Sequence, residues 1–254
     1  MAKLDKLCDY TAKLLDIRTV PDYGGALNGL QLRNLSGEVS KIAAAVDATL
    51  PVIGRAVEEK ADLLLVHHGM FWQGAQRIDG AVFERLHTAM AAGLAVYSVH
   101  IPLDVHPVYG NNALLAKACG LEKLEPFFPW KGIQLGLRTT ASAQVQLRTL
   151  VDRVENAVGG PVHVCQGGGV KVGNAGVITG GAGSEIYTVA GQGVDTFITG
   201  EGPHWSYTSA EELGVNVIYA GHYATETFGV RSLAEHLADK FKLEHAFIDH
   251  PTGL

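Results

Sequence analysis

The segment Ile42–Gly69, "IAAAVDATLPVIGRAVEEKADLLLVHHG", aligns without a gap to Ala175–Gly202, "AGVITGGAGSEIYTVAGQGVDTFITGEG". Each reads as an apolar run, a turn, a helical stretch, an Asp, a second strand-like run, a pair that includes a polar residue (His67-His68, Gly200-Glu201) and a Gly. Short unbroken apolar runs are the pattern of strands buried on both faces, and a helix between two such strands makes them parallel. A further element extends the match: "AAGLAVYSVH" (Ala91–His100) pairs with "ELGVNVIYAGH" (Glu212–His222), with one inserted residue. A chain that writes this order twice is constrained to an α/β fold of two similar repeats, with mostly parallel sheets covered by helices. The stretch around Pro126–Gly132 is the join. Residues 1–128 are then the first repeat and 129–254 the second.

Within the first repeat, Leu4, Leu7, Cys8, Leu14 and Leu15 share one face of an opening helix, and "NGLQL" from Asn28 is a brief strand. Asp47 and Thr49 have the chemistry to cap a helix over Leu50–Lys60. The strand Asp62–Val66, a helix near Val82–Ala92, the strand Leu94–Val99 and a helix over Asn112–Ala118 follow. Abundant glycine at the ends of apolar runs fits tight strand-to-helix turns. A formal charge of −6, with no block of Lys or Arg, argues against a nucleic-acid surface. No apolar stretch reaches the length of a membrane span, and the first residues have no signal-peptide core. The widely spaced Cys8, Cys119 and Cys165 read as reduced thiols, so the expectation is a soluble cytoplasmic protein.

In parallel α/β sheets ligands bind beyond the carboxyl ends of the strands. Three polar clusters fall there. His67 and His68 close the run "LLLVHH". "VHIPLDVHPVYGNN" carries His100, Asp104, His106, Asn111 and Asn112. "AGHYATETFG" places His222 and Glu226 four residues apart, one helical turn. Imidazole and carboxylate together suit Zn, Fe, Mn or Co better than Mg or Ca. Each cluster also has a plainer reading. The paired histidines are ordinary surface residues, His222 and Glu226 form a helix-end charge pair, and Asp104 caps a turn or pairs with His106. Convergence of all three at successive strand ends favours metal.

Other features carry less. "TGGAGSE" (Thr179–Glu185) has the look of a phosphate-cradling turn but lacks the third glycine of the dinucleotide fingerprint, so a structural turn is expected. Ser184 has no nucleophile context. His163, His236, His245 and His250 are scattered, and Trp72, Trp130 and Trp205 are expected to fill cores or contacts. Glu201 and His204 fall at the strand end that matches His67 and His68.

The motifs "LLLVHHGMFW", "VHIPLDVHPVYGNN" and "ITGEG…H…YAGHYATE", in this order, resemble the GTP cyclohydrolase 1 type 2 homologs, the Nif-three-like family, from Asn28–Gln31 to the last helix. The resemblance implies two intertwined α/β repeats in the short bacterial form, assembled as a toroidal homohexamer with metal sites facing the interior. It implies a dinuclear centre of two divalent ions, with ligands on His67, His68, Asp104, His222 and Glu226. The two adjacent imidazoles of the first cluster would then each serve a different ion. His100 matches a further family histidine near the metals, a general acid/base or a hydrogen-bond partner of a ligand. Two divalent ions outweigh the charge of Asp104 and Glu226, which favours an anionic or phosphorylated substrate. Hydrolysis of a phosphorylated or nucleotide-like small molecule is the expected reaction. A metal-delivery protein or a metal-stabilised scaffold would use the same ligands.

Overall fold

The structure, a computed structural model, describes residues 1–139 and 145–254. The chain divides into two compact units, each discontinuous in sequence: Met1–Leu103 with Gly229–His250, and Asp104–Phe228 with Pro251–Leu254. These boundaries differ from the repeat boundary read from the sequence. The stretch Pro126–Gly132 is no linker. It lies in and just after the strand Leu124–Trp130, the outermost strand of the second unit's sheet, where prolines 126 and 129 are tolerated because an edge strand can forgo N–H donors.

The first unit is built on a five-stranded sheet in the order Glu244–Phe247, Lys41–Asp47, Leu63–His68, Ala95–Ser98, Gly29–Leu32. The first three pairings are parallel and the last is antiparallel. The helix Leu50–Glu58 returns the chain between the first two strands of the repeat, and Pro51 sits in its first turn, where the missing N–H does no harm. Val52, Ile53 and Ala56 of that helix pack on Ala43, Ala45, Leu64, Val66 and Val96, all buried. Truncating such a residue, Leu64 for instance, costs about 2–5 kcal/mol. The opening helix Leu4–Leu14 buries Leu4 and Leu7 as its periodicity requires.

The second unit has a six-stranded sheet in the order His163–Gln166, Asn216–Tyr219, Thr196–Thr199, Ala175–Val177, Ile133–Thr139, Leu124–Trp130. Its two parallel pairings lie between three antiparallel ones. Alternation along the strands feeds two cores. Ile198 and Ile218 face Leu150 and Val154 of the helix Leu147–Val158, while Phe197 and Val217 face Ile186 and Val189. Covered on both faces, the central strands Ala175–Val177 and Thr196–Thr199 are buried at every residue, and Asn216–Tyr219 at all but Tyr219.

The duplication is visible in the hydrogen bonds. Asp62 accepts from the backbone N–H of Ser40 and Lys41, at 2.6 and 3.1 Å. Asp195, its aligned counterpart, accepts from Gly173 and Asn174, at 3.0 and 2.6 Å. The aligned Asp of each repeat thus secures the start of the preceding parallel strand through aligned partners. Cys119 and Cys165 are buried and Cys8 half-buried, all as free thiols, and burial pushes Cys8 and Cys119 up to about 12. Among the described residues no helix is long and apolar enough to cross a membrane.

Candidate metal centre

The strand Leu63–His68 runs two residues further than the apolar pattern alone indicates and carries both histidines. His67 is fully buried, and its Nδ1 lies 3.0 Å from the carbonyl oxygen of Val99. A carbonyl only accepts, so Nδ1 bears the proton and Nε2 keeps its lone pair. His68 Nδ1 lies 2.8 Å from Asp47 Oδ1, and the two residues face each other in the parallel register. Asp47 therefore orients an imidazole instead of capping the following helix. Thr49 occupies that cap position without a side-chain hydrogen bond. His100 follows the next parallel strand, and its Nδ1 lies 2.8 Å from Asp22 Oδ1. Ring centroids of His67 are 4.8 Å from those of both His68 and His100. The three rings offer ligand nitrogens within 4.8 Å of one another.

Asp22 is itself fixed. It accepts from the backbone N–H of Tyr23 and Ile101 and from the Asn28 amide. Burial works against its charge, but the bonds from His100, Asn28 and Tyr23 outweigh it and hold its carboxyl below the usual range. Asn28 also accepts from the His100 N–H at 2.8 Å. Gln31 accepts from the Met70 N–H, and a Cβ on Gly69 would stand 2.2 Å from the Gln31 amide. The "NGLQ" motif is thus the clamp on the two loops that leave the histidine-bearing strand ends. Trp72 sets its ring edge-on to His100 and His68, with centroids 4.7 and 5.5 Å away. It belongs to this cluster and not to a core.

In the second unit, His222 is the first residue of the helix His222–Phe241, and Glu226 lies one turn on and is buried. His222 Nδ1 is 2.8 Å from Glu201 Oε1, and Nε2 is 3.2 Å from Glu226 Oε1. Burial alone would lower the His222 pKa, but Glu226 and Glu201 outweigh it and push it up to about 9. The imidazole therefore holds a proton between two carboxylates, a position a cation can take over at Nε2. The "TGGAGSE" turn is structural, and its structure serves Glu226. Gly180 adopts φ +70°, its N–H donates to Thr225 Oγ1, and a Cβ there would stand 2.3 Å from Glu226 Oε1. Asp104, also buried, accepts from the Asn111 amide at 2.8 Å and from the Thr179 hydroxyl at 3.2 Å. Asn112 accepts from the Thr179 N–H at 2.9 Å and donates to Leu135 O. The Asn111–Asn112 pair thus ties Asp104 and the glycine turn to the fold.

The donor set fits a transition metal. His68, His100 and His222 each present Nδ1 to a carboxylate and His67 presents it to a backbone carbonyl, the arrangement that fixes ring and tautomer of metal-ligating histidines. Beside His68 and His100, the buried indole N–H of Trp72 has no hydrogen-bond acceptor among the described residues. His106 stands apart in role: its Nδ1 accepts from the backbone of Val108 and Tyr109 and shapes their turn. Tyr10 hydrogen-bonds His236 within the first unit. His204 begins the helix His204–Leu213 and is exposed.

Sequence reasoning missed Asp22, Asp47 and Trp72 as parts of the site. Asp47 was within reach, since a parallel register between the runs ending at Asp47 and His68 sets them side by side. Asp22 lies 78 residues from His100, with no local pattern to connect them.

Comparison with known proteins agrees with the motifs. The family described as Duf34/NIF3 (NGG1p interacting factor 3) matches residues 2–253. A Deinococcus radiodurans relative named GTP cyclohydrolase 1 type 2 homolog is 42% identical over 250 residues, 98% of this chain and 94% of that one. A Pyrococcus horikoshii relative of the same name is 39% identical over 251 residues, 98% and 99% of the two chains. A crystal structure from Thermus thermophilus superposes with a TM-score of 0.90 at 39% identity, covering both chains entirely. A repeated α/β fold, imidazoles set for ligation and a full-length match lead to one conclusion: the chain belongs to the Duf34/NIF3 family.

Proposed function

We propose that the chain is a metal-dependent hydrolase of a phosphorylated or nucleotide-like small molecule, holding two divalent transition-metal ions through His67, His68, Asp104, His222 and Glu226. The observation that carries this reading is the common tethering of four imidazoles by Nδ1, which leaves Nε2 as the ligand atom of His67, His68 and His222. Zn, Fe, Mn and Co match this mixture of nitrogen and carboxylate donors. On this reading the repeats 1–128 and 129–254 share the ligands, the first bringing His67, His68 and Asp104 and the second His222 and Glu226. The free thiols favour a reducing compartment, the cytoplasm. The family resemblance extends the reading to a toroidal homohexamer.

When bound, such ions polarise a substrate oxygen and acidify water. The chain's own residues supply the rest. Asp22 anchors the His100 ring through Nδ1, so Nε2 can take a proton from water or return one to a leaving group. His100 also meets the geometric test of a ligand together with His67 and His68. Asp47, Asp22 and Glu201 orient the imidazoles they hold, and their charges reduce the long-range pull on an anion. An anionic substrate would therefore be held by direct contact at the ions more than by a surrounding positive field.

The test compares metal-loaded and metal-stripped protein on a panel of nucleotides and phosphorylated metabolites, with Glu226→Ala as control. Turnover in loaded wild type that disappears in the stripped protein and in Glu226→Ala supports the hydrolase. Loaded protein inert on the whole panel would shift the assignment to metal delivery or to a metal-stabilised scaffold.

A further inference from the structure

A cleft of about 730 Å³ opens in the second unit beside the carboxyl ends of the parallel strands Thr196–Thr199 and Asn216–Tyr219. That is the size of a small-molecule site, and strand ends are where parallel sheets bind ligands. Three rings contribute to its wall. His163 lies 5.6 Å from Tyr207 and 6.1 Å from Tyr219 between centroids, at tilts of 42° and 33°, so the rings form a concave surface and not a stacked pair. Tyr219 is pinned by a 2.7 Å hydrogen bond between its hydroxyl and Ser206. Gly202 keeps this side open: a Cβ there would meet the Tyr219 ring at 3.0 Å and the Ser206 hydroxyl at 2.7 Å. Among the described residues that line the cleft, the acidic side chain is that of Glu201, which is 44% exposed and whose Oε1 already accepts from His222.

We infer that this cleft binds a planar heterocycle carrying an amino or ring N–H edge, with its face on the Tyr207, Tyr219 and His163 wall and its edge donating to Glu201. Aromatic walls accept any flat ring, while a carboxylate selects rings that donate and disfavours anionic ones. The same Glu201 holds His222, so the ring is bound next to a proposed metal ligand. The inference rests on the proposed hydrolase only for what happens to the rest of that molecule. Ring binding itself needs no metal.

The test uses 2-aminopurine riboside, whose fluorescence falls on stacking, with metal-stripped wild-type protein. Saturable quenching is expected at submillimolar to millimolar concentration, and purine riboside, lacking the exocyclic donor, should bind about tenfold more weakly. Tyr207→Leu and the independent, exposed His163→Leu should each weaken binding by about tenfold. Both should retain wild-type metal content on reloading. No saturable quenching, equal affinity for purine riboside, or unchanged binding in both variants would overturn the assignment. Because the assay omits metal, its failure leaves the metal reading standing, and loss of the metal reading leaves this one.

Discussion

Replacing Gly180 by Ala separates backbone strain from damage to the site, because the fold supplies a matched control. Gly180 and Gly214 share a φ of +70°. A Cβ on Gly214 has nothing within 4 Å, whereas one on Gly180 would stand 2.3 Å from Glu226 Oε1 and 3.4 Å from His222 Nε2. Forcing Ala into the left-handed region costs roughly 1–2 kcal/mol, partly offset by about 0.4–1 kcal/mol from a stiffer unfolded chain. Gly214→Ala should show that net loss and no more. In Gly180→Ala the carboxylate must retreat by about an ångström to reach ordinary contact, breaking its approach to His222, and overpacking of this kind adds roughly 1–3 kcal/mol. At about 2–4 °C per kcal/mol for a chain of this size, the two variants should differ in Tm by about 2–12 °C, Gly180→Ala the lower. The assay is thermal unfolding of metal-stripped protein, followed by metal reloading and elemental analysis. Gly214→Ala should reload as wild type does, and Gly180→Ala should bind about 10–100-fold more weakly. Equal losses of Tm with equal metal affinity would refute the claim that Gly180 exists to admit Glu226.

Glu201→Gln and Asp47→Asn each loosen an imidazole without removing a proposed ligand, so metal affinity should fall about 10–100-fold in each, measured by competition with a chromogenic chelator. Because His222 holds its proton up to about 9, against an ordinary 6.5, it stabilises the metal-free fold fully below pH 6.5 and loses that contribution as pH rises through about 9. The Tm of stripped protein should therefore fall over that window, and Glu226→Gln should flatten the fall. Metal uptake at pH 7 should release the same proton, read by calorimetry in two buffers of different ionisation enthalpy. Light scattering should give six times the 27.0 kDa chain mass, and a stable monomer at micromolar concentration would reject the hexamer.

The two repeats were legible because their central strands are buried and so write themselves as short runs free of charge, "IAAAV" and "LLLV" in one repeat, "TFIT" and "NVIY" in the other. The antiparallel additions were harder to read. The stretch around Pro126–Gly132 reads as the join between repeats, yet it falls in and just after the edge strand Leu124–Trp130, which tolerates Pro126 and Pro129. Candidate ligands announced themselves as imidazoles and carboxylates at strand ends. Two of their supports did not, since Asp22 and Trp72 come from loops whose paths no periodicity encodes. The division into compact units, with Gly229–His250 joining Met1–Leu103, rests on the parallel pairing of Glu244–Phe247 with Lys41–Asp47. A partner about 200 residues away leaves no local mark.

Metal analysis of four purified proteins tests the central claim most directly: wild type, His67→Ala, His222→Ala and Glu226→Ala, each stripped, reloaded with one transition metal and freed of excess. Two ions per chain in wild type are expected, with one lost preferentially in each histidine variant and both weakened in Glu226→Ala. The same metal content in all four, or none above background in wild type, would contradict the assignment.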